Sequence, residues 1–179
     1  LGKVAPDWTM GISNTLRYRN LSLSFLIDVR YGGVMYSGTV SDLRVNGMAE
    51  ETIGKNRTDI VDKGVKQDGT ENTTAITPYQ FWSNNYSSKV SEANVFDATF
   101  VKLREMVLSY QMPQRWFKNC FIGSLALGVE GRNLWLMKSN VPHIDPETNI
   151  FGPSAVGSGV EYSAIPTTRS WGFNIKLTF

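Results

Sequence analysis

The chain has 179 residues, 41% of them hydrophobic and 12% aromatic, with 18 basic against 16 acidic side chains and a formal net charge of +2. That length holds one domain or a piece of something larger, and no run approaches the roughly 18 apolar residues of a membrane helix, so a helical membrane protein is excluded. The charges are scattered, without the dense basic stripe of a nucleic-acid binder, and one cysteine, Cys120, with one histidine, His143, rules out an internal disulfide or a structural zinc site.

The opening Leu1 to Trp8 has neither a charged nor an apolar leader region, so an exported protein would carry its signal elsewhere. Trp8, Met10, Ile12, Leu16 and Tyr18 then alternate with Thr9, Gly11, Ser13, Thr15 and Arg17, broken on the apolar side only by Asn14, which predicts a strand over 8–18. Arg19-Asn20 is a two-residue break, and a second alternating run, with Leu23, Phe25 and Ile27 in one phase and Ser22, Ser24, Leu26 and Asp28 in the other, predicts a strand over 21–32 paired to the first by a tight hairpin.

From Gly32 to Ala98 the pattern dissolves into Gly, Asn, Thr, Asp and Ser, with one short helix expected around Ser41 to Thr52. Connections longer than about 15 residues are uncommon in compact domains. A third strand is expected over 99–110, with Val101, Leu103 and Val107 in the apolar phase beside a misplaced Glu105, while Met106, Leu108 and Tyr110 fall in the other phase; either a bulge shifts the register or protein packs that side. After a connection containing Pro113, Trp116, Phe117 and Phe121, a fourth strand over 124–136 sets Leu125, Leu127, Val129 and Trp135 against Ser124, Ala126, Gly128, Glu130 and Arg132. The last strand, 168–179, places Trp171, Phe173, Ile175, Leu177 and Phe179 in one phase, the aromatic-ended face by which an outer-membrane barrel is recognised during assembly.

The connections run 2, about 66, about 13 and about 31 residues, the rhythm of periplasmic turns and extracellular loops. That topology puts residues 33–98 and 137–167 outside, Trp8, Tyr31 and Trp135 at the outer interface, and Tyr18, Tyr110 and Phe179 at the inner one. Leu23, Phe25, Ile27, Leu125, Leu127, Val129, Ile175 and Leu177 are expected to face lipid. The alternative is a soluble β-rich carbohydrate-binding or adhesion domain, with the same alternation packing a sandwich.

No catalytic, metal or cofactor set emerges. Asp145 and Glu147 sit two apart on one loop, too close to flank a scissile bond. Asp68, Thr70 and Asn72 have the odd spacing of a calcium loop but lack its closing glutamate, since Tyr79 stands there. Gly152 to Gly159 is glycine-rich without the strand, helix or lysine of a phosphate loop, and neither His143 nor Cys120 has a partner for nucleophilic chemistry. The best candidate for substrate or partner binding is the aromatic cluster Tyr79, Phe81, Trp82 and Tyr86 with Asn84 and Asn85, which combines ring faces with amides; the same rings could instead pack the long loop on itself.

A set of short stretches, in order along the chain, resembles the C-terminal portion of the SusC/RagA family of TonB-dependent outer-membrane transporters of Bacteroidota. They are Ala5-Pro-Asp-Trp8 with Gly11, the segment Arg57 to Asn72 containing Ile60 to Val65, Ala98 to Glu105, Leu108-Ser-Tyr110, Gly131 to Trp135, Ile144-Asp-Pro-Glu147, Pro166-Thr-Thr-Arg169 and Phe179. The resemblance implies an all-β fold: an antiparallel transmembrane β-barrel segment, the last five of about 22 strands, with long extracellular loops and with the plug and the N-terminal barrel absent. It further implies a multi-pass barrel in the bacterial outer membrane that imports oligosaccharides or peptides and is not an enzyme. The implied partners are a SusD-like surface lipoprotein, the TonB-ExbB-ExbD complex acting through the absent N-terminal part, outer-membrane lipid and a glycan or peptide substrate, with no nucleic acid.

Overall fold

The computed structural model describes residues 1–53, 58–87, 90–118, 121–150 and 157–179, with the side chains of residues 85–87 left aside. Cys120 and most of the glycine-rich stretch from Gly152 lie outside the described residues. In chain order the strands and α-helices are β1 (Trp8–Tyr18), β2 (Leu21–Tyr31), β3 (Val34–Ser37), α1 (Gly38–Val45), β4 (Ile60–Val61), β5 (Ala75–Ile76), α2 (Pro78–Gln80), β6 (Val95–Asp97), β7 (Phe100–Gln111), β8 (Ser124–Ser139), β9 (Val160–Glu161) and β10 (Ser170–Thr178). They divide between two compact units, one made of residues 1–5, 33–98 and 140–166, the other of 6–32, 99–139 and 167–179.

The second unit is one antiparallel sheet of five strands in the order β1-β2-β7-β8-β10. Directly opposed residues share a face, so the register sorts side chains into rows across the sheet. One face carries the rows Tyr18–Leu21–Tyr110–Leu127–Ile175, Leu16–Leu23–Leu108–Val129–Phe173, Asn14–Phe25–Met106–Gly131–Trp171 and Ile12–Ile27–Leu103–Trp135. The other carries Arg17–Ser22–Ser109–Gly128–Asn174, Thr15–Ser24–Val107–Glu130–Gly172 and Ser13–Leu26–Glu105–Arg132–Ser170. Fifteen of the nineteen members of the first set are large and apolar or aromatic other than tyrosine; the rest are the two tyrosines in the end row, Asn14 on the edge strand and Gly131.

The mixed phase of the third strand is a register shift. β2 pairs Leu26 with Glu105 but Ile27 with Leu103, leaving Arg104 as the extra residue of a bulge. An extra residue reverses the alternation, so Glu105 turns to the polar face and Met106, Leu108 and Tyr110 join the apolar one. Strict period two from Val101 had put Glu105 on the apolar side; the bulge corrects that. The bulge residue itself ion-pairs with Asp28.

The predicted hairpin closes with Tyr18 opposite Leu21, Arg19 holding φ 53° in the left-handed region. Asn20 fastens the turn to β7, its Nδ2 donating to the Gln111 carbonyl at 2.6 Å while the Gln111 N–H donates to the Asn20 carbonyl at 2.7 Å. Gly131 keeps the third apolar row open: a Cβ there would lie 3.0 Å from the Trp171 ring and 2.5 Å from Leu134.

The first unit corrects the picture of a patternless 33–98 segment. Its sheet has the order β6-β3-β9, antiparallel on one side of β3 and parallel on the other, and β4 pairs β5. The expected helix is α1, which starts three residues before Ser41 because Ser37 caps it, accepting the Val40 N–H at 3.1 Å; a 3-10 turn follows at Glu50–Thr52. Met35, Ala98 and Val141 form a small buried cluster with Phe96 and Ile144 against it.

Candidate functional site

The aromatic segment begins at a capping box. Thr77 Oγ1 accepts the Gln80 N–H at 3.2 Å, the Gln80 side chain accepts the Thr77 N–H at 3.1 Å, and Pro78 occupies the first helical position. The chain then widens into a π-helical stretch over Phe81–Ser87. Phe81 and Trp82 meet edge to face, ring centres 5.0 Å apart.

Arg44, at the end of α1, holds this stretch. Its guanidinium lies 4.5 Å from the Trp82 ring centre and 5.2 Å from that of Phe96, and it donates to the Ala93 carbonyl at 2.6 Å, Asn94 Oδ1 at 2.8 Å and Glu51 Oε1 at 2.6 Å. Glu51 Oε2 stands 3.2 Å from His143 Nε2, which ties the segment around residue 143 to the segment around residue 51. Burial pushes the Glu51 carboxyl up, but the Arg44 hydrogen bond, its own backbone N–H, the His143 hydrogen bond and the Arg44 charge outweigh it and hold the group below 4.5.

Of the predicted binding residues, Trp82 and Phe81 are therefore partly taken up in packing, Tyr79 projects to solvent and Asn84 is exposed. Asn85 and Tyr86 fall in the π-helical stretch, their side chains outside those described. Tyr79 lines a groove together with Thr77, Pro78, Asn46, Gly47 and Arg44. Arg44 and Glu51 were not singled out in the sequence, where no periodic signal marks them.

The weaker constellations resolve into local turns. Asp68 Oδ1 accepts from the Thr70 N–H at 3.0 Å and its hydroxyl at 2.6 Å, bonds that hold its carboxyl below the ordinary value. Asp145 Oδ1 accepts the Glu147 N–H at 3.2 Å. Glu161 is buried and accepts from Ser37 at 2.5 Å, Thr39 at 2.6 Å and the Ala164 N–H at 3.2 Å, joining β9 to the start of α1.

On the sheet, the apolar face is exposed: Trp171 is 63%, Phe173 85% and Ile175 68% accessible. Aromatic pairs stand toward its ends, Trp8 stacked on Tyr31 at 5.3 Å and Phe121 on Phe179 at 5.7 Å. On the polar face Arg132 lies 3.9 Å from Glu105 and 4.0 Å from Glu130. No described helix is long and apolar enough to cross a membrane.

No family profile matches the chain. Two relatives from Formosa agariphila align over all of it: TonB-dependent receptor P3 at 25% identity and TonB-dependent receptor P26 at 26%. The chain spans only 17% and 18% of their lengths. Among solved structures it is similar to the RagAB peptide transporter, with a TM-score of 0.64 at 21% identity, and to the RagAB peptide importer in its 'closed-closed' state, with 0.62 at 18%. Each match covers 99% of this chain and 18% of the other. The neighbours in fold and the relatives in sequence agree, and over its whole length the chain resembles part of a SusC/RagA-type TonB-dependent transporter.

Proposed function

We propose that the chain is part of a TonB-dependent transporter of the bacterial outer membrane that imports oligosaccharides or peptides. Its five-stranded sheet is a section of a closed barrel of about 22 strands, the apolar face against lipid and the polar face lining the passage. The observation that carries this reading is the apolar face, built from three rows that cross all five strands and a fourth that crosses four, interrupted only by Asn14 and Gly131, with the rings of β10 exposed and aromatic pairs flanking it. In water such a face would be an aggregation surface, whereas a bilayer covers it at no cost.

Residues 33–98 and 137–167 then lie outside the cell and take up a SusD-like surface lipoprotein, with Tyr79 and the groove beside it among the contacts. The TonB-ExbB-ExbD complex drives import through a part of the protein beyond this chain. The alternating Trp171, Phe173, Ile175, Leu177 and Phe179 serve as the segment read during barrel assembly.

Arginine substitution tests the face. Phe25→Arg, in the middle of the apolar face, is expected to cost about 2–4 kcal/mol and to deplete heat-modifiable barrel in outer-membrane fractions, while Ser24→Arg, one residue away on the polar face, leaves it near the parent level. Equal tolerance of the two would refute the assignment of faces.

A further inference from the structure

The polar face is not electrostatically uniform. In its middle, cations stand beside carboxylates: Arg104 pairs with Asp28, and Arg132 lies near Glu105 and Glu130. Toward the hairpin end this changes. A groove of about 440 Å³ there is lined by Arg17, Arg19 and Lys176 together with Ser22, Ser109 and Gln111, and no carboxylate borders it. Among the described residues no carboxylate pairs with Arg17, Arg19 or Lys176; the Arg19 guanidinium rests 5.3 Å over the Tyr18 ring, a contact that leaves its charge in place.

The positions follow from the register. Arg17 heads the row that continues through Ser22 and Ser109, and Lys176 stands opposite Ala126, which stands opposite Gln111, so the small side chains Ser22, Ser109 and Ala126 leave the space that the long cationic ones surround. Three cations around small polar side chains, with no internal counter-charge, make a site for an anion. The groove has no aromatic ring among its lining residues on which a pyranose face could stack. Its chemistry is that of carboxylate recognition, by point charges and a guanidinium fork, with hydroxyl and amide donors beside them.

We propose that this groove binds the carboxylates of acidic peptides, making it a cargo subsite on the passage face of the transporter. The inference rests on the reading of the polar face as the passage. It adds that peptides rich in Glu or Asp are preferred over neutral ones, and that Arg17 and Lys176 set the preference.

The test uses the intact protein in detergent and two fluorescent pentapeptides, all-Glu and all-Gln. The all-Glu peptide is expected to bind at low salt and to weaken as salt rises, because the attraction is between exposed charges. Replacing two such charges, in Arg17→Gln/Lys176→Gln, should weaken it roughly tenfold, while the charge-preserving Arg17→Lys/Lys176→Arg variant stays within about twofold of the parent. The all-Gln peptide should bind more weakly to the parent and lose nothing in the Gln variant. The inference is overturned by no binding of the all-Glu peptide, by equal binding of the two peptides, or by a Gln variant that binds the all-Glu peptide as the parent does. Heat-modifiability of the same preparations separates the two levels: a folded barrel that fails these binding tests overturns the subsite and leaves the outer-membrane transporter standing.

Discussion

Glu51 links three segments through one carboxylate, with Arg44 on one oxygen and His143 on the other. Its carboxyl is held below 4.5 in the folded protein, so the stability it contributes is fully present above that value and is lost as pH falls through the lowered folded value. Hydrogen-exchange protection of residues 38–53 and 81–87 should therefore drop in acid below about pH 4.5, and Glu51→Gln should lower it already at neutral pH and flatten the acid dependence. Unchanged protection in the Gln variant at neutral pH would mean that the Arg44 contacts to Trp82, Ala93 and Asn94 hold the segment without it. At this scale the sequence was only half informative. The aromatic residues of the cluster stand out by composition, but Arg44, Glu51 and Glu161 are single polar residues in aperiodic stretches, and what makes them matter is a partner up to 124 residues away.

Among the elements, the long strands were legible because period-two alternation over about ten residues is a strong signal. β1 lies over Trp8–Tyr18, where the alternation runs, and β8 continues to Ser139 past a left-handed Asn133 at φ 50°. What alternation could not place was the bulge in β7, because one extra residue erases the phase on which the reading depends. It also missed the short strands of the first unit, where two to four residues are too few for a period to show. The bulge yields a sharp prediction. Deleting Arg104 joins Leu103 to Glu105 and restores strict alternation, so that Val101, Leu103, Met106, Leu108 and Tyr110 stay in one phase on the apolar face and β2 pairs without a bulge. Folded barrel in membrane fractions should therefore persist in this variant, whereas deleting Val107 instead, which sets Leu108 and Tyr110 in the polar phase, should nearly abolish it; Arg104→Gln, which removes the ion pair with Asp28 and the hydrogen bond to Asn133, should cost about 1 kcal/mol or less for this partly exposed pair. Loss of folded barrel on deleting Arg104 as complete as on deleting Val107 would show that the bulge itself, not the phase of the apolar residues, is what the sheet requires.

For the whole molecule, the two units follow different rules. The sheet gathers most of its apolar side chains on one face and most of its polar ones on the other, the division that a wall between lipid and water would need. The residues 33–98 and 140–166 fold on capped helices, short strand pairs and buried polar links such as Glu161 with Ser37 and Thr39, as a water-facing assembly can. Which solvent meets the apolar rows separates a membrane wall from a soluble sheet. The most direct measurement places spin labels one at a time at residues 22 to 27 of β2 in the intact protein in outer-membrane vesicles, and compares their accessibility to oxygen with that to a water-soluble nickel complex. Labels at Leu23, Phe25 and Ile27 are predicted to favour oxygen and those at Ser22, Ser24 and Leu26 the nickel complex, in strict alternation; high nickel accessibility at Leu23, Phe25 and Ile27, or no alternation at all, would contradict a sheet with one face in lipid.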